Sequence, residues 1–218
     1  MGAKTWMLIA STGDARAQLA KLPALDRSAS TNLAQRLFPA EALIPLDDGD
    51  LSEANPADDE ILVGCFAGLR IVAAREFALD HPSRLPRRFL DVLDLPTVEL
   101  HAMYSVVDWF AYARWQGGIL IRSLSLAPDS GVIEDQGPHL PFEAPYWAGE
   151  HPALGPEENG DADSYPLPFH PLDLGEAALA ASLGYVLEGH PAPDHIDPSC
   201  ITLLRFKRSG AKPWWKVW

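Results

Sequence analysis

The sequence predicts an α+β fold: a single domain in which an antiparallel meander or mixed sheet carries separated helices. Three observations lead there. Strand-like segments are joined by tight turns at Ala67-Gly68, Gln116-Gly117-Gly118 and Ala127-Pro128-Asp129-Ser130-Gly131, too short for the crossovers that parallel pairing requires. The hairpins and meander are mixed with separated helical patterns, which indicates α+β rather than a doubly wound parallel fold. At 218 residues, 47% hydrophobic and 22% charged, the chain can bury a core without staples.

Taken in order, Lys4 to Ala10 is a continuous apolar run that suits a buried strand. Thr12-Gly13-Asp14 offers a cap to a helix reaching Leu22, which Pro23 stops. A second short helix is expected from Asn32 to Phe38, capped by Thr31 and closed by Pro39. The acidic stretch from Ala40 to Asp59 predicts no regular structure. Glu60 to Phe66 and Leu69 to Ala74 read as a hairpin, and Pro82 to Leu93 as a helix with Leu85, Phe89, Leu90 and Leu93 along its stripe. The clearest β region follows: a strand from Val106 to Trp115, another from Ile119 to Leu126, and a third opening at Val132. Leu120, Arg122, Leu124 and Leu126 alternate there with Ile121, Ser123 and Ser125. Gln136 to Leu172 is a proline-rich loop whose aromatics argue for order, with Phe142, Trp147 and Phe169 expected to be buried and Glu157–Asp163 mobile. A helix from Leu174 to Leu187, with Asp173 as N-cap and Gly189 as C-cap, and a strand from Cys200 to Phe206 complete the domain.

The formal charge of −13 favours solubility and disfavours nucleic acid as a partner. Two cysteines, Cys65 and Cys200, fit a reducing compartment. The first apolar run breaks at Ser11, too early for a signal peptide, and Trp6 occupies the position where a myristoylation motif needs Ser or Thr. No stretch reaches the length of a membrane span. The expectation is a cytoplasmic protein. Charge is also segregated: no Lys or Arg occurs between Ser123 and Leu204, whereas Arg205, Lys207, Arg208, Lys212 and Lys216 follow without any acid. Residues 1–208 read as the domain and 209–218 as a basic tail with Trp214, Trp215 and Trp218.

Two regions hold groups suited to chemistry. In the aromatic loop, Glu143, Glu150, His151, His170 and Asp173 are carboxylates and imidazoles suited to acid–base work or to a divalent ion, with Tyr146 and Trp147 as a contact surface. The plainer reading is a structural loop whose Trp and Tyr pack over the sheet. In the meander, Asp108 and Arg122 interrupt apolar strands; Glu134 and Glu143 are candidate partners for Arg122, in an ion pair expected to face solvent. Ser11-Thr12-Gly13-Asp14 reads as a capping turn rather than an anion site. No His-Glu-x-x-His, Gly-x-Ser-x-Gly, Walker or Gly-x-Gly-x-x-Gly pattern occurs, so no metal and no cofactor is expected.

Ser105 to Tyr112, Arg122 to Leu126, Leu140 to Glu150 and Tyr165 to Pro171, together with the opening Met-Gly-Ala-Lys-Thr, carry a resemblance. In these segments the chain resembles an uncharacterised actinobacterial family of unknown function, over most of its length to about residue 205. The resemblance implies membership and no activity, and the tail after Arg208 is not part of it. Two functions remain in view. One is a noncatalytic binding or regulatory protein that meets a protein partner through the aromatic loop or the tail tryptophans. The other is a small hydrolase-type enzyme, with or without a metal, whose site lies in residues 139–173.

Overall fold

The computed structural model describes residues 2–153 and 165–209. Within them, ten strands form one open sheet: β1 (Lys4–Ser11), β2 (Ala42–Pro45), β3 (Gly49–Asp50), β4 (Glu60–Phe66), β5 (Leu69–Ala73), β6 (Thr97–Tyr104), β7 (Trp109–Gln116), β8 (Ile119–Ala127), β9 (Gly131–Gln136) and β10 (Thr202–Ser209). Their order is β2-β10-β4-β5-β1-β6-β7-β8-β9, with β3 also on β10, and every described pairing is antiparallel. The helices are α1 (Ala15–Leu19), α2 (Arg27–Leu37), α3 (Arg87–Leu93), α4 (Ala144–Trp147) and α5 (Pro171–Ser182). The described chain is an α+β single domain, antiparallel throughout.

Both faces of the sheet are covered, which is why β1 reads as an unbroken apolar run. Met7 and Ile9 point to a first face, where Met103, Phe110, Tyr112 and Leu124 pack under α5 and the loop around α4. Trp6, Leu8 and Ala10 point to a second face, shared with Val63, Val72 and Leu100 and covered by α2 and α3. Gly175 lets α5 approach closely: a Cβ there would meet the Met103 sulfur at 3.0 Å and the Phe110 ring at 3.1 Å.

Several boundaries differ from the sequence expectation. Val106 and Val107 are exposed in a turn, where Asp108 takes a left-handed φ of 47°. The strand therefore begins at Trp109, and β6 precedes it, making the meander four strands instead of three. α2 begins at Arg27, because Asp26 rather than Thr31 caps it through Ala29 N at 2.9 Å. Asp14 does cap α1, which ends at Leu19. Pro82–Arg84 is a separate 3-10 turn before α3. His170 rather than Asp173 is the N-cap of α5, Pro171 fills its first position, and Gly184 (φ 79°) rather than Gly189 turns the chain out. Residues 42–50 hold the short strands β2 and β3 inside the stretch predicted irregular. Phe169 is buried as expected, while Phe142 and Trp147 are half-buried. The segment Glu157–Asp163 and the tail tryptophans lie outside the described residues.

The solvent-facing ion pair expected at Arg122 is overturned. A bulge at Ile121 shifts the register of β8 against β7 and sends Leu120 and Arg122 to opposite faces. Arg122 and Glu143 are both fully buried beneath the first face, joined side-on at 2.9 Å (Nε to Oε1) and 2.6 Å (Nη2 to Oε2). Nη1 donates to Asp135 and to the Gln136 and Gly137 carbonyls. Glu134 points to the opposite face.

Candidate functional site

Strand register builds a groove at one end of the sheet. Lys4 opens β1 opposite Tyr104, the last residue of β6, and Tyr104 stands opposite Trp109, the first of β7. The second-face side chains at this end are Lys4, Trp6 and Trp109, with Tyr104 packed beside them. Trp6 meets Tyr104 edge-on at 5.7 Å and Trp109 at 6.3 Å. Two further segments wall the space: residues 75–81, which follow β5, and the β8–β9 turn with Asp129 and Ser130. The recess is open to solvent and about 620 Å³ in volume.

Both signs of charge meet over this aromatic floor. The Lys4 ammonium sits 4.8 Å from the Trp6 ring centre and 5.0 Å from that of Tyr104, and the Arg75 guanidinium lies 4.8 Å from Trp6. Asp80, on the same wall as Arg75, and Asp129, on the β8–β9 turn, are exposed. The Trp109 indole donates to Ser125 Oγ at 3.1 Å. The buried indole N–H of Trp6 has no hydrogen-bond partner among the described residues. His81 faces the groove with Nδ1 3.3 Å from Glu134 Oε2. Burial pushes the Glu134 carboxyl up, but hydrogen bonds from Ser123 and Ser83 and the neighbouring His81 outweigh it and hold it below its ordinary value.

The aromatic loop lies on the first face and is largely satisfied internally. The Glu143 carboxylate is engaged by Arg122 and also accepts Leu140 N at 3.0 Å and Trp147 Nε1 at 3.4 Å. Tyr146 is buried; its hydroxyl donates to the Asp173 carbonyl, and its ring stacks on His151 at 4.5 Å. Burial first, then the Asp173 charge, pushes the Tyr146 phenol up to about 12. Trp147 stacks on His139 and meets Phe169 edge-on, both at 4.9 Å. His170 Nε2 lies 3.6 Å from Asp108 rather than beside Asp173, and Glu150, His151 and Asp173 are exposed. Among the described residues, no group of three or more His, Cys, Asp or Glu side chains is placed to hold a metal ion.

The model of a family of unknown function, DUF6928, matches residues 5–206. The chain belongs to this family. The DUF6928 match spans β1 to the middle of β10 and so takes in Trp6, Tyr104, Trp109 and the loop around α4. No curated protein matches the chain, and no solved structure does. Among the described residues, no helix is long and apolar enough to cross a membrane. Both cysteines are free thiols, Cys65 buried and Cys200 exposed. Sequence reasoning missed the groove because it missed β6. Once Thr97–Tyr104 is a strand, the alternation Lys4-x-Trp6 and the pair Tyr104/Trp109 flanking one turn place four side chains at one sheet end.

Proposed function

We propose that this protein is a noncatalytic binding protein, working in the cytoplasm, whose groove receives a short aromatic and cationic segment of a protein partner. The observation that carries this reading is the aromatic floor of Trp6, Tyr104 and Trp109 with Arg75, Asp80 and Asp129 around it. Tyr104, half-buried above the buried Trp6 and Trp109, is the ring of that floor open to an incoming indole or phenol. Arg75 and Lys4 offer it cation–π contacts, while Asp80 and Asp129 suit an incoming Lys or Arg. The aromatic loop serves as support, since Tyr146 and Trp147 spend their rings on Phe169, His139 and His151. Peptides selected on the full chain from a random display library should be enriched in Trp or Tyr beside Lys or Arg. Ala78→Trp, which fills the groove from its wall, should abolish their binding. Equal binding to that variant would place the contact surface elsewhere.

A second reading, a small hydrolase, draws its support from His81 rather than from residues 139–173. An imidazole held by a buried, ionised carboxylate and facing a groove is the arrangement of a general base. Turnover of an ester panel that His81→Ala abolishes would favour it over the binding reading.

A further inference from the structure

We infer that the cationic residue of the partner segment is an arginine, and that His81 selects it by presenting an unprotonated Nε2 as a hydrogen-bond acceptor alongside the Asp80 and Asp129 carboxylates. The inference rests on the binding reading above and names the group that the groove recognises. It begins with Glu134. That buried carboxylate accepts from Ser83 N at 3.0 Å, from Ser83 Oγ at 2.9 Å and from Ser123 Oγ. A carboxyl group so supplied with donors is ionised and has no proton to give. The ring nitrogen of His81 that stands 3.3 Å from it, Nδ1, therefore carries the imidazole proton. In the neutral ring this leaves the lone pair on Nε2, on the side away from Glu134. His81 lines the recess with its side chain 38% exposed, so that lone pair is left for whatever enters.

The backbone that carries the ring is anchored. Pro82, buried, opens the 3-10 turn Pro82–Arg84, and the Ser83 N–H fastens that turn to Glu134 on β9. Gln136, further along the same strand, donates from Nε2 to Ser83 Oγ at 3.4 Å. His81 is thus set against β9 before any ligand arrives, and the order of its two nitrogens is set with it.

The charges around that lone pair favour a cation. The charged and titratable groups about His81 are Glu134 on β9, Asp80 beside it in the chain, Asp129 on the β8–β9 turn and, among the other lining residues, Arg75 and Tyr104. Arg75 lies over the Trp6 ring and 3.8 Å from Asp58. The exposed carboxylates of Asp80 and Asp129 have no ion-pair or hydrogen-bond partner among the described residues. A guanidinium suits this set better than an ammonium. Its N–H groups fan out in one plane to reach both carboxylates and the Nε2 lone pair, and it can stack on a half-buried phenol such as Tyr104. A protonated His81 offers a donor and a second positive charge in place of the acceptor, so binding weakens as the pH falls through the imidazole range.

The test uses the full chain and the end-blocked peptide Gly-Tyr-Arg-Gly, with versions carrying citrulline or lysine in place of arginine. The arginine peptide should bind about tenfold more tightly than the citrulline peptide, which keeps the shape and loses the charge, and more tightly than the lysine peptide. Its affinity should fall about tenfold between about pH 8 and about pH 5. His81→Asn keeps a donor for Glu134 and has nothing at the Nε2 position; it should flatten that profile while thermal unfolding stays native-like. Long-range nitrogen–proton NMR correlations of the native chain should show the Nδ1–H tautomer of His81. An Nε2–H tautomer, equal binding of the arginine and citrulline peptides, or a native pH profile in His81→Asn each overturns the inference and leaves the groove as a site. Equal binding of the arginine and lysine peptides overturns the choice of a guanidinium. If the arginine peptide fails to bind while display-selected peptides do bind, the assignment of arginine is wrong; if neither binds, the binding reading falls with it.

Discussion

His101 shows how a polar residue in a strand can belong to the core. It is fully buried between β1 and α5, where Nε2 donates to the Gly175 carbonyl at 2.9 Å and Nδ1 accepts from Thr5 Oγ1 at 2.7 Å. Those partners fix the neutral Nε2–H tautomer, and burial lowers its pKa to about 4. Below the ordinary imidazole range the unfolded chain binds a proton that the folded chain refuses, so this contribution is complete near neutrality and is lost as pH falls toward the folded value. Denaturant titrations should show His101 costing about 2–3 kcal/mol between about pH 7 and about pH 4.5. His101→Gln, which can keep both hydrogen bonds, should remove that share of the slope; an unchanged slope would count against the assignment. The Arg122–Glu143 pair poses the complementary question of what happens when one buried charge loses its partner. Arg122→Met strands a fully buried carboxylate and should cost about 3–5 kcal/mol. Arg122→Met with Glu143→Gln, which retains an acceptor for Leu140 N, should cost less than the single change in the same unfolding assay.

At the scale of elements, what could be read in the sequence was whatever local chemistry decides. The β4–β5 hairpin, the β7–β8 and β8–β9 turns and the cap at Asp14 follow from glycines and short polar side chains at fixed offsets. β6 was not legible, because Glu99 and His101 put polar groups on its first face, and the imidazole is buried there by tertiary partners that no window of sequence contains. The burial of Arg122 was hidden for a related reason. A bulge at Ile121 decides its face, and Gly137, at φ 82°, wraps the chain over it. A Cβ on Gly137 would lie 2.0 Å from the Ile121 carbonyl oxygen, whereas Gly149, at φ 80°, has nothing within 4 Å. Gly137→Ala should therefore cost more than about 2 kcal/mol and Gly149→Ala about 1 kcal/mol, the strain of the left-handed region alone. Thermal unfolding of the two variants side by side measures the difference; equal shifts would mean that the close approach relaxes freely.

For the whole molecule, the organising fact is a single antiparallel sheet buried on both sides, with β1 near its middle and each face served by different parts of the chain. The candidate sites therefore fall on opposite faces, and residues such as Trp6 and Trp109 that read as core in the sequence also floor a groove at the sheet's end. One short turn touches both. In the link between β6 and β7, Val107 lines the groove, and the next residue, Asp108, lies 3.6 Å from His170 Nε2 beside the aromatic loop. Its left-handed backbone gives that turn little slack. Whatever enters the groove and presses on Val107 must then alter the magnetic environment of an imidazole on the far side of the sheet. At constant pH, the His170 ring protons should shift in an NMR titration with a groove-binding peptide, and Asp108→Gly should silence that shift while leaving the affinity nearly intact. A bystander histidine thereby becomes a built-in gauge of occupancy, readable before any partner is known.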